Sequence, residues 1–77
     1  MQVSERDSFV KILLGLAELY CKVISNTVIK FYWQALEVYL WKDVVDAMKL
    51  HTEDPDTGQY MPKPADIIRI IKGNSQS

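Results

Sequence analysis

Apolar residues recur at Phe9, Ile12, Leu13, Leu16, Tyr20 and Val23, and this spacing limits what the chain can become more than any other feature. It is the 3.6-residue period of an amphipathic helix. The preceding "SERD" offers Ser4 as an N-cap and an acid, Asp7, at the third helical position, a relative of the capping box. The pattern predicts a first helix over about residues 4–23. Projected at ~100° per residue, Lys11, Gly15, Glu18 and Lys22 share one narrow polar strip. The rest of Phe9 to Cys21 is apolar over roughly 220°, whereas ~100° is enough to face one core. The surplus falls on Ile12 and Leu19 along one edge and on Leu14 and Cys21 along the other.

"VISN" breaks this period, and Ser25 or Asn26 is a good N-cap for a second helix over about residues 26–40. Val28, Ile29, Tyr32, Trp33, Leu36, Tyr39 and Leu40 make its main face, and Lys30, Gln34 and Glu37 its solvent face. Phe31, Ala35 and Val38 lie on a flank between them. "WKDVVDAMKLH" predicts a third helix over about residues 41–51, with Trp41, Val44, Val45, Met48 and His51 in a stripe. Lys42, Asp43, Asp46 and Lys49 take its water side and are expected to pair locally. No proline or glycine marks the boundary between the second and third helices, so one long bent helix is the alternative.

The segment at residues 52–63 has Pro55, Gly58 and Pro62 and no period, which predicts a loop with a turn at "DPDTG". A short fourth helix follows over about residues 64–72, with Pro64 at its first position and Gly73 as its stop. Ile67, Ile68 and Ile71 point inward, with Ile70 at the edge of the stripe. Pro62 and Pro64 hold Met61 and Lys63 extended, so that Tyr60 and Met61 can seal one end of the core. The polar tail 74–77 should fray. The expected fold is all-α: one domain, a small bundle of three helices plus a short C-terminal fourth helix. Trp33, Leu36, Pro62, Pro64 and Ile67 are its expected structural residues.

Bulk composition narrows the function. The chain has 77 residues, enough for one modest core, and is 48% hydrophobic. Its 9 basic and 10 acidic residues give a net charge of −1, against the basic excess of a dedicated nucleic-acid binder. Lys22, Lys30, Lys63, Arg69 and Lys72 are the residues such a binder would use here. The single cysteine, Cys21, permits no internal disulfide, which suits a reducing, cytoplasmic setting. The longest apolar stretch carries Lys11, Glu18 and Lys22 and predicts no membrane span. The start "MQVSERD" lacks the basic region of a signal peptide.

Motifs that carry chemistry fail on count. Asp54, Asp56 and Gly58 suggest a calcium loop. Starting at Asp54, however, the fifth position is Gly58, the sixth Gln59 and the twelfth Ala65, where an EF-hand needs an oxygen ligand, a glycine and a glutamate. A phosphate cradle needs several glycines ahead of a helix, and only Gly58 is available. His51 is the sole histidine, which excludes a helical zinc pair. Cys21 beside Tyr20 and Val23 reads as buried filler, not as a nucleophile served by His51. No carboxylate sits in an apolar run where its pKa would be tuned for acid–base work. No catalytic residue, metal ligand or cofactor site is therefore expected.

The aromatics say more. Phe31, Tyr32, Trp33, Tyr39 and Trp41 fall within residues 31–41, and all but Phe31 fit core stripes. Phe31, Ala35 and Val38, with Leu14 and Leu19 of the first helix, exceed what so small a domain can hide. Uncovered apolar surface of this kind marks protein contacts. The expected site is a binding surface made by the first two helices, serving a homodimer or a protein partner.

The order "LLGLAELY … FYWQALEVY … VVDAMKLH … DPDTGQYMPKPADIIRIIKG" resembles small bacteriophage proteins, in particular the N-terminal domain of the phage replicative helicase loader/inhibitor family and related prophage proteins. The resemblance covers about residues 9–73 and is most specific at Trp33 with Leu36 and at "MPKPADI". It implies a non-enzymatic adaptor in the host cytoplasm that binds a host or phage replication protein. Loaders of that family carry further sequence after the helical domain, which engages the helicase. No helicase-contacting residue is therefore carried over.

Overall fold

The computed structural model describes residues 1–74. Four α-helices make the all-α fold: α1 (Arg6–Leu19), α2 (Asn26–Leu36), α3 (Trp41–Glu53) and α4 (Pro64–Asn74). Short 3-10 turns sit at Val3–Glu5 and Thr57–Gln59, and there is no strand among the described residues. Helix α4 runs through Gly73 to Asn74, so Gly73 is not its stop: no glycine among the described residues takes a positive φ to turn the chain. The expected fraying of residues 75–77 lies outside the described residues.

Helix α1 starts later than its sequence suggests, and Ser4 is not its cap. The 3-10 turn comes first, and the Gln2 N–H donates to a Glu5 carboxylate oxygen at 2.6 Å. The helix also ends early. Cys21 adopts φ 56, the left-handed region. Its N–H donates to the Glu18 carbonyl at 3.0 Å, and the Lys22 N–H donates to the Ala17 carbonyl at 2.8 Å. This paired closure is the usual C-terminal cap, with cysteine where glycine normally stands. The early stop overturns two expectations. Val23 lies beyond the helix and is fully exposed, and Cys21 is at the surface, not buried, because the cap turns it off the helical period.

Ser25 caps α2, its Oγ accepting from the Val28 N–H at 3.3 Å. The helix stops at Leu36, not at residue 40, and α2 and α3 are separate helices. On a straight helix Trp41 would lie about 140° round from Leu36, five steps of ~100°. The turn at Glu37–Tyr39 instead lets both Tyr39 and Trp41 pack partly buried against the core. The Met1 α-ammonium donates to the carbonyls of Glu37 and Tyr39, serving acceptors that the helix end leaves open. Leu40, expected on the main face of α2, is the extended residue before α3 and is exposed.

The core joins Phe9, Leu13 and Leu16 of α1 to Ile29, Tyr32, Trp33 and Leu36 of α2, Val44, Ala47 and Met48 of α3, and Ile67 and Ile71 of α4. Phe9 meets Trp33 edge-on, with ring centroids 5.5 Å apart, and the Arg6 guanidinium lies 5.8 Å from the Trp33 ring centre. The radius of gyration is 11.8 Å, against ~11.5 Å for a compact chain of this length.

The connector from Asp54 to Lys63 is fastened to three helices. Asp54 Oδ1 accepts from the N–H groups of Asp56 and Thr57 at 2.8 and 3.1 Å. The Tyr20 hydroxyl donates to the Gly58 carbonyl at 2.7 Å, and the Tyr32 hydroxyl to the Pro62 carbonyl at 2.8 Å. His51, buried, bonds the Tyr60 carbonyl through Nε2 at 2.8 Å and meets the Tyr60 ring edge-on. A carbonyl partner makes Nε2 the protonated nitrogen. Pro62 is fully buried and Met61 partly so, while Tyr60 keeps much of its ring in solvent. Asp66 closes the segment by accepting from the Lys63 N–H at 3.0 Å.

Candidate functional site

Phe31 is 64% exposed, Val38 79%, Leu19 65% and Leu14 44%. Ala35 is partly buried against the core and contributes little outer surface. These residues do not make one surface on α1 and α2. Leu14 and Leu19 stand five positions apart on α1, about 140° round the helix. Phe31 sits on the outer side of α2, in a small pocket of about 220 Å³ with Thr27, Lys30 and Gln34. Val38 lies in the turn after α2.

A separate apolar feature, an open groove, lies between α1 and α3. Ile12, Leu16 and Leu19 form one wall and Val45 and Met48 the other, around a groove of about 450 Å³. Gly15 opens it from the α1 side, and a Cβ built there meets nothing within 4 Å. Lys11, Lys49 and Thr52 supply the polar rim, and no acid is among the described lining residues. Sequence reading found the α1 edge, Ile12 and Leu19, because both fall outside the narrow stripe that faces a core. It missed the α3 wall, where Val45 had been placed in the inward stripe. Val45 is only half-buried, on the side of α3 shared with Lys49 and Thr52.

The chemistry-bearing residues are dispersed. Cys21 is exposed at the end of α1, while the His51 ring is buried against Tyr60. No hydrogen bond joins them among the described residues. Asp43 and Asp46 are exposed, but they make no ion pair with Lys42 or Lys49 among the described residues, contrary to expectation. Arg69 pairs with Asp66 at 3.6 Å. Lys22, Lys30, Lys63 and Lys72, also exposed, belong to different elements or connectors. No group of three or more His, Cys, Asp or Glu able to hold a metal ion occurs among the described residues.

Among the described residues, three groups titrate away from their ordinary values. Burial raises the Tyr32 hydroxyl, and the nearby Asp66 charge adds to this. Burial also raises Tyr20. Hydrogen bonds from the Thr57 and Asp56 N–H groups hold the Asp54 carboxyl below the usual carboxylate range. All three groups tie the connector in place, and none faces the groove.

No helix among the described residues is long and apolar enough to cross a membrane. No family model, curated protein or solved structure matches the chain.

Proposed function

We propose that this chain is a non-enzymatic protein-interaction module of phage type, acting on the helicase-loading machinery of replication. The observation that carries the interaction reading is the open apolar groove between α1 and α3, a concave surface on a domain with few residues to spare for solvent. Phe31 adds a second bulky contact on the outer side of α2. Resemblance over residues 9–73, strongest at Trp33, Leu36 and "MPKPADI", supports the replication partner. In this chain those residues are structural: Trp33, Leu36, Pro62 and Ile67 are buried. They hold the scaffold and leave the partner to the exposed residues.

An inhibitor of another host complex would use the same surface and differ only in the protein captured. A homodimer would cover the apolar surface with a second copy. A nucleic-acid binder would need the dispersed lysines to act together across a chain of net charge −1.

Capture from bacterial lysate, followed by mass spectrometry, tests the reading. The wild-type chain should enrich a replicative helicase or its loader, and Leu19→Glu should lose it. Equal capture by both chains, or no replication protein among the captured species, contradicts the proposal.

A further inference from the structure

The lining of the groove suits one kind of occupant. Ile12, Leu16 and Leu19 present apolar surface over about two turns of α1, and Val45, Met48 and Thr52 line about two turns of α3. Two helical walls of that length, ~10 Å each, match a third helix that anchors with residues at i, i+3 or i+4, and i+7. The rim adds a sign. Lys11 rises from α1 and Lys49 from α3, both exposed, and no acid is among the described lining residues, although the exposed Glu18 stands two turns beyond Lys11 on the same strip of α1. This local excess of positive charge stands on a chain whose acids outnumber its bases, 10 to 9.

We infer that the groove receives an amphipathic helix of a partner protein whose apolar anchors are flanked by aspartate or glutamate. This rests on the interaction reading above and specifies the partner's chemistry. A second copy of the chain is the poorer occupant. The outer side of α2 exposes Phe31 and surrounds it with Thr27, Lys30 and Gln34. Docked in the groove, it would bring Lys30 toward Lys11 and Lys49, and like charges across an interface are unfavourable.

Selection and mapping test this. The probe is a library of helical peptides of about 16 residues, roughly four turns, with leucine fixed at i, i+3, i+4 and i+7. The flanking positions vary among Glu, Ser and Lys. The selected peptides should carry Glu at the flanks and bind about tenfold more tightly than their Lys-flanked counterparts, with the difference shrinking at high salt. Methyl NMR shifts should concentrate on Ile12, Leu19, Val45 and Met48. Gly15→Met should abolish binding by filling the groove while leaving the circular dichroism spectrum and melting temperature intact or improved, since nothing crowds that position. Lys11→Glu with Lys49→Glu should reverse the preference, so that Lys-flanked peptides win.

Equal affinity for Glu- and Lys-flanked peptides overturns the charge assignment. Shifts centred on Phe31, with Gly15→Met still binding, overturn the groove assignment but leave the interaction module standing. A dimer seen by light scattering and lost in Gly15→Met replaces the partner helix with a second copy and overturns the inference. Selection of no peptide also overturns it, while lysate capture lost in Leu19→Glu would still uphold the module.

Discussion

The Tyr32 hydroxyl donates a buried 2.8 Å hydrogen bond to the carbonyl of Pro62, a residue 30 positions further along the chain. Tyr32 belongs to α2 and Pro62 to the strap that leads into α4, so this bond joins the middle of the bundle to its last helix. Tyr32→Phe removes the donor and leaves the proline carbonyl buried without a partner. A loss of about 1–3 kcal/mol follows from the desolvation of an unpaired polar group. Urea denaturation of the two chains measures it, and an unchanged midpoint would mean that water replaces the hydroxyl.

The strap also depends on Gly58. A Cβ there would lie 2.7 Å from the His51 carbonyl oxygen and 2.9 Å from that of Thr52, both backbone atoms that cannot swing aside. Gly58→Ala should therefore destabilise by about 1–3 kcal/mol, as overpacking does. Thermal melting should fall by several degrees, and the Tyr60 and His51 ring resonances should move with it.

Cys21 gives a change in the opposite direction. It holds φ 56 at the end of α1, a conformation costing a residue with a Cβ about 1–2 kcal/mol. Cys21→Gly should raise stability by about 1 kcal/mol, because both closing hydrogen bonds remain and the strain goes. A lower melting temperature would show that the thiol has a stabilising contact of its own.

Stability should fall at both ends of the pH scale, from opposite groups. Tyr32 and Tyr20 have hydroxyls raised above 10 in the folded chain. Their contribution is complete below the unfolded value of about 10 and is lost as pH climbs through the folded values. Asp54 is lowered, so its contribution is complete above the ordinary carboxylate value and is lost as pH falls through the folded one. Absorbance titration of the four tyrosines should show Tyr20 and Tyr32 ionising late. Asp54→Asn, which keeps an oxygen acceptor, should reduce the acid sensitivity while preserving the turn.

The inward stripes were legible because periodicity reports which residues share a helix face. Phe9, Leu13, Leu36, Val44 and Ile67 are all completely buried. Ser25 and Pro64 also marked helix starts correctly, since each carries a local reason to be there. The ends of α1 and α2 were not legible. One closes on a cysteine in a glycine's conformation, and the other closes without proline or glycine, where packing of Tyr39 and Trp41 supplies the reason to turn. Exposure of Leu14, Leu19, Phe31 and Val38 followed from counting apolar side chains against available core. The groove did not, because no periodicity says that Val45 of α3 stands across from Ile12 and Leu19 of α1.

Site-specific photocrosslinking tests the central claim most directly. A benzophenone amino acid replaces Leu19 in the groove or, as a control, Asp43 on the far exposed side of α3. Irradiation in bacterial cells should yield a discrete protein adduct from the Leu19 position, absent from the Asp43 position and lost when Gly15→Met fills the groove. The same weak smear of adducts from both positions would mean that the groove docks no protein, and would contradict the account.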